Sequence, residues 1–60
     1  MNWQELGKQV ADYAPLLGGV LGGPSGAAFG TILASKFGTK ETPNDIAAAI
    51  QADPNAALKL

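Results

Sequence analysis

The chain is 60 residues long, has a net charge of −1 and contains neither histidine nor cysteine. A chain of this length makes at most one small domain, and it lacks the commonest general base, the commonest transition-metal ligand and any disulfide. Its four basic residues form no stripe that neutralises phosphates, so we expect no nucleic-acid partner. Because histidine and cysteine are absent, we also expect no metal and no cofactor.

The first predicted element is a helix over residues 3–21. Asn2 and Glu5 have the spacing of a capping box, which predicts the helix start. Because Pro15 removes a backbone donor and crowds the preceding turn, we expect a kink or break within Ala11–Ala14. Five apolar residues recur at helical spacing and form an apolar stripe, which is a candidate face for a partner or a membrane. They are Trp3, Leu6, Val10, Tyr13 and Leu17. We expect Trp3 to anchor this stripe into the fold, with a membrane interface as its alternative position.

The sequence GGPSG, residues 22–26, predicts the end of the first helix, because glycine followed by proline stops a helix. A second helix is predicted over residues 25–37, with Gly38 as its left-handed cap. The helices 3–21 and 25–37 are then expected to form an antiparallel hairpin around GGPSG.

Two shorter helices are predicted over residues 43–52 and 54–60, each starting at a proline. The last is too short to be stable alone. Either it packs on the remaining helices or the natural chain continues past Leu60, and we expect the second. Because no segment has a strand pattern, the sequence predicts an all-α fold with residues 1–60 as one small helical domain.

Small residues recur at every fourth position through the uncharged middle of the chain and define a helix-packing ladder. The ladder consists of Gly18, Gly22, Gly26, Gly30, Ala34 and Gly38. A second row holds Gly19, Gly23 and Ala27. Fourth neighbours share one ridge of a helix, and a ridge without side chains lets another backbone approach closely, as in small-xxx-small membrane helices. We therefore expect the ladder to mediate close helix packing.

Residues 13–35 carry no charge, and about 20 such residues span a bilayer core. Tyr13 at one end and Lys36 at the other suit a membrane interface. GGPSG lies at the midpoint, however, and the backbone that its glycines expose is costly in lipid. Two interpretations remain open: a soluble or peripheral helical hairpin, which the residues favour, and insertion into a membrane.

Candidate catalytic groups are few. Glu5, Asp45 and Asp53 occupy helix-start positions, where capping explains a carboxylate better than catalysis does. The chain has no histidine to activate Ser25 or Ser35 as a nucleophile. GGPSG lacks the lysine and the strand of a phosphate-binding loop. We therefore expect neither an enzyme nor a small-molecule substrate.

The segments APLLGGVLGGPSGAAFGTILASKFG and TPNDIAAAIQADPNAALKL, which together cover about Ala14 to Leu60, resemble a known family. They are similar to the N-terminal part of phage and prophage holin-like proteins, the holins of three transmembrane segments of the gene-transfer release type. The resemblance implies a small phage protein that oligomerises and permeabilises the host inner membrane for lysis or particle release. The further membrane spans of that family would follow Leu60.

Two functional hypotheses follow. In the first, the chain is a non-enzymatic holin-like protein that forms homo-oligomers through the ladder, in or on the host inner membrane. In the second, it is a soluble helical phage structural or assembly protein of the virion, and its apolar stripe docks another phage protein or a second copy. A membrane-active bacteriocin-like peptide is a weaker alternative, because the chain is slightly acidic and anionic lipid attracts cationic peptides.

Overall fold

The computed structural model describes all 60 residues, which form five helices and no strand. The helices are α1 (Trp3–Ala11), α2 (Pro15–Leu21), α3 (Gly26–Phe37), α4 (Pro43–Ala52) and α5 (Ala56–Lys59). The predicted all-α class is confirmed.

The helix boundaries follow the capping residues. The Asn2 side chain accepts a hydrogen bond from the Glu5 N–H at 2.8 Å, and the Asn2 N–H donates to the Glu5 carboxylate at 3.3 Å, so the capping box of α1 is complete. Thr42 caps α4 by accepting from the Asp45 N–H at 3.2 Å. Gly38 ends α3 at a φ of 66°, in the left-handed region where glycine has no steric penalty.

The predicted helix over 3–21 is two helices. After Ala11 the chain turns through Asp12–Ala14, where the N–H groups of Tyr13 and Ala14 both donate to the Val10 carbonyl, at 2.9 and 2.8 Å. Ala14 is extended, with φ −144° and ψ 92°, as a residue before proline prefers, and Pro15 starts α2. The chain therefore breaks where Pro15 predicted a kink or break, and α2 packs against α1 as the most extensive helix–helix contact.

The core draws on all five helices. Its largest fully buried side chains are Leu6, Val10, Leu21, Ile46 and Ile50. Smaller buried apolar residues complete it, namely Leu33, Ala34, Ala47 and Ala56. The partly buried residues Trp3, Leu17, Phe29, Phe37 and Leu60 pack around this cluster. Because several of the core residues are alanines, close approach of the helices must supply much of the contact area.

Two predicted boundaries shift. α3 begins at Gly26 rather than residue 25, and α5 covers Ala56–Lys59 rather than residues 54–60. The second shift has a local cause, because the Asp53 carboxylate accepts from the Asn55 N–H at 2.8 Å. This Asx-type turn holds Pro54 and Asn55 outside the helix.

Candidate interaction surface

The contact between α1 and α2 is a crossing of two backbones. A Cβ built on Gly7 would lie 2.6 Å from the Gly18 carbonyl oxygen and 2.9 Å from the Gly22 nitrogen. A Cβ built on Gly18 would lie 2.5 Å from the Gly7 carbonyl oxygen and 2.6 Å from the Ala11 Cβ. Real Cβ atoms do not approach so closely, so this crossing requires glycine on both helices. Its geometry is small-xxx-small on both sides, with Gly7 and Ala11 facing Gly18 and Gly22.

A second close approach joins α1 to α3. The indole ring of Trp3 covers Gly30, and a Cβ on Gly30 would overlap two of the ring carbons, at 2.2 and 2.3 Å. A Cβ on Gly26 would overlap the Leu21 carbonyl and come within 3.3 Å of the Trp3 Cβ. Both glycines are buried. Trp3 therefore packs into a notch on α3 that exists because two fourth-neighbour positions lack side chains.

The members of the ladder predicted from the sequence therefore pack against different parts of the fold. Gly18 faces α1, Gly26 and Gly30 face Trp3, and Ala34 lies in the core at 2% exposure. Gly22 tolerates a Cβ at ordinary contact distance, whereas Gly38 has open space around it and serves as the cap of α3. Its buried members mediate packing within one chain, and the ladder from Gly18 to Gly38 does not form one outward-facing ridge.

The apolar stripe is a core face for most of its length. Leu6 and Val10 are fully buried, and Trp3 and Leu17 are partly buried against the core. Tyr13, at 48% exposure in the turn after α1, is the most exposed member of the stripe. The prediction that this stripe is a face for a partner or a membrane is wrong for its buried members, because the break before Pro15 folds α2 back onto α1. Trp3 anchors the stripe into the fold, as expected.

The free apolar surface lies instead on the outer side of α2. Leu16 is 89% exposed, Gly19 is exposed three residues later on the same face of α2, and Gly23 is exposed in the turn that follows α2. No atom lies within 4 Å of a Cβ built on Gly19, and a Cβ on Gly23 would meet only the Gly19 and Val20 carbonyls of α2, at 3.4 and 3.5 Å. We call Leu16, Gly19 and Gly23 the outer row. On neighbouring α3, Ile32 is 52% exposed.

No charged residue lies in residues 13–35, which include the whole of α2. Glu5 and Asp45 bond within helix caps, as predicted for them. The Lys59 ammonium and the Asn55 N–H beside Asp53 hold the pKa of that carboxyl below its ordinary value of 3.8. The Glu41 carboxylate accepts from the Thr31 hydroxyl at 3.5 Å.

A shallow open groove follows the outside of the α1–α2 crossing. Its lining consists of Gln4, Gly7, Lys8, Ala11, Pro15, Gly18, Gly19 and Gly22. Lys8 is the one charged side chain in it, and the chain has no group of three or more His, Cys, Asp or Glu residues positioned to hold a metal ion. The groove therefore offers backbone and small side chains but no pair of groups for proton transfer.

No helix of this fold has both the length and the apolar character that crossing a membrane requires. Comparison of the chain with protein-family models, curated proteins and solved structures gives no match. The holin-like resemblance therefore rests on the sequence segments alone.

Sequence reasoning missed Gly7 as a packing residue. A usable signal was present, because Gly7 and Ala11 repeat the fourth-neighbour spacing of the ladder on the first helix. The predicted ladder begins at Gly18 and therefore leaves out Gly7. The helix that a ridge of small residues packs against depends on how the chain turns between the two helices.

Proposed function

We propose that this chain is a non-enzymatic helical interaction protein that self-associates through the outer row of α2. The observation that carries the proposal is the 89% exposure of Leu16 beside Gly19, whose missing side chain leaves open space. A large apolar side chain and a vacant position on one helical face are self-complementary. A twofold axis near the middle of α2 would set Leu16 of each copy against the glycines of the other.

The charge distribution is compatible with this assembly, and the small apolar area limits its strength. α2 itself brings no charge to such an interface, because residues 13–35 are uncharged, and Lys8 is the one charged side chain in the adjacent groove. Full burial of a leucine side chain contributes about 1.5–3 kcal/mol. Two such side chains, one from each copy, would have to overcome the entropy of association, so we expect a weak and reversible dimer.

Sedimentation of the full chain tests the proposal when two matched variants are compared. Leu16→Lys places a charge in the outer row, and Leu58→Lys makes the same change at a side chain that is 86% exposed on α5. We expect the wild type and Leu58→Lys to show the same concentration-dependent dimer and Leu16→Lys to remain monomeric. Equal association of all three proteins would contradict the proposal.

The holin-like function is the second proposal, and the uncharged segment 13–35 is the observation that favours it. Exposed Tyr13, Leu16 and Ile32 would contact a bilayer surface, and oligomers formed there would disturb the host inner membrane. Because no helix has the length to cross a bilayer, this proposal places the chain on the membrane surface.

Vesicles made of phosphatidylcholine and phosphatidylglycerol separate the two proposals. Co-sedimentation with vesicles and release of an entrapped dye, both lost in Leu16→Lys and kept in Leu58→Lys, would support the holin-like function. Self-association in buffer without vesicle binding would support the soluble alternative. Detection of the chain in purified phage particles would then assign it a structural or assembly role in the virion.

A further inference from the structure

We infer that residues 55–60, which contain α5 and which we call the strap, detach from the fold as a unit while α1–α4 stay folded. Opening of the strap uncovers the ring of Phe37 at the end of α3. This inference concerns the opposite end of α3 from the GGPSG turn, and it does not depend on the outer row.

The backbone joins the strap to the rest of the fold through a hinge alone. The N–H groups of Ala56, Leu58, Lys59 and Leu60 donate to the carbonyls of Asp53, Asn55, Asn55 and Ala56. No backbone hydrogen bond connects the strap to a residue before Asp53. Asp53 is extended, with φ −98° and ψ 113°, and Pro54 has no N–H with which to continue α4. Rotation at Asp53–Pro54 therefore breaks no backbone hydrogen bond to α1–α4.

The strap buries little apolar surface. Ala56 is its one buried side chain, and Leu60 is partly buried against the core. Leu58 is 86% exposed and adds no packing. A helix of four residues is also far below the length that is stable by itself in water. Closure of the strap thus depends on a few side-chain contacts.

Lys59 makes three further contacts. Its ammonium pairs with the Asp53 carboxylate across the hinge and lies 5.3 Å from the centre of the Phe37 ring, within cation–π range. Its carbonyl accepts a hydrogen bond from the Lys36 side chain at 3.3 Å. One residue therefore links the strap both to its hinge and to the end of α3, and the aromatic ring that it covers is the surface that opening would expose.

Native-state amide exchange of the full chain, followed by NMR, tests the strap. We expect the amides of Leu58 and Leu60 to exchange at least about 10-fold faster than the amide of Ile50 in α4, with little dependence on denaturant. Lys59→Ala should accelerate exchange at Leu58 and Leu60 by about 3- to 10-fold, because it removes the ion pair and the cation–π contact. Exchange at Ile50 should stay unchanged.

Lys40→Ala is the matched control, because Lys40 is exposed and makes no side-chain hydrogen bond or ion pair. It should leave exchange at Leu58, Leu60 and Ile50 as in the wild type. Equal exchange rates and equal denaturant dependence at Leu60 and Ile50 would overturn the inference, because α5 would then unfold only with the whole domain. Complete lack of protection at Leu60 in the wild type would also overturn it, because no closed state would exist.

Discussion

The indole ring of Trp3 occupies the space in which a side chain at Gly30 would lie. This relationship joins the first turn of α1 to the middle of α3, across residues that are far apart in the chain. It assigns two of the glycines in the uncharged segment a role in packing within the monomer. Gly26 and Gly30 form a notch for an aromatic side chain of the same chain, so their small size serves the folded monomer.

Gly30→Ala should destabilise the fold. The added methyl group would overlap the Trp3 ring, and overpacking of this kind costs about 1–3 kcal/mol. Chemical denaturation followed by circular dichroism measures the loss, and the fluorescence of the single tryptophan reports whether the ring has moved. Gly19→Ala is the control, because its Cβ position is open, and alanine there should stabilise the helix by up to about 1 kcal/mol. Equal stability of the two variants would show that Trp3 does not fill the notch.

Gly18→Ala and Gly22→Ala, two substitutions at the α1–α2 crossing, should differ in their effect on stability. A Cβ at position 18 would lie 2.5 Å from a carbonyl oxygen of α1, whereas the nearest atom to a Cβ at position 22 is 3.6 Å away. Because a backbone carbonyl cannot move aside as a flexible side chain can, we expect Gly18→Ala to cost about 1–3 kcal/mol. Gly22→Ala should be close to neutral. Thermal denaturation of both variants checks whether Gly18→Ala is the less stable. Helix propensity alone would not produce this order, because alanine is a better helix former than glycine.

Acidification should loosen the α5 end of the fold first. Asp53 has a lowered pKa, so its contribution to stability is complete at neutral pH and disappears as the pH falls below its ordinary value of 3.8. Lys59 is the charged group that pairs with it, and Lys36 donates a hydrogen bond to the Lys59 carbonyl. An NMR titration of the Asn55 and Leu58 amides should therefore give a midpoint below that ordinary value.

Asp53→Asn is the control for this titration. It should remove the transition at the Asn55 amide, because an asparagine side chain does not ionise. A midpoint at or above the ordinary carboxyl value would contradict the ion pair with Lys59 as the source of the shift.

Local signals in the sequence predicted the helix ends well. Asn2 with Glu5, Asp45, and Gly38 each act through hydrogen bonds or dihedral preferences within a few residues, so their roles need no knowledge of the fold. Pro15 marked the place where the first helix would be interrupted. Its consequence could not be predicted in the same way, because a kink and a reversal of the chain both accommodate a proline that has no N–H to donate.

That reversal decided the candidate surface. The sequence by itself determined the all-α class, the caps and the presence of small residues at every fourth position, because these depend on local backbone preference and helical period. Only the tertiary structure decided that Gly7 meets Gly18, that Trp3 covers Gly30 and that Leu16 and Gly19 face outward. Periodicity states which residues share a face of a helix, whereas the direction of the chain after Asp12–Ala14 selects what that face touches.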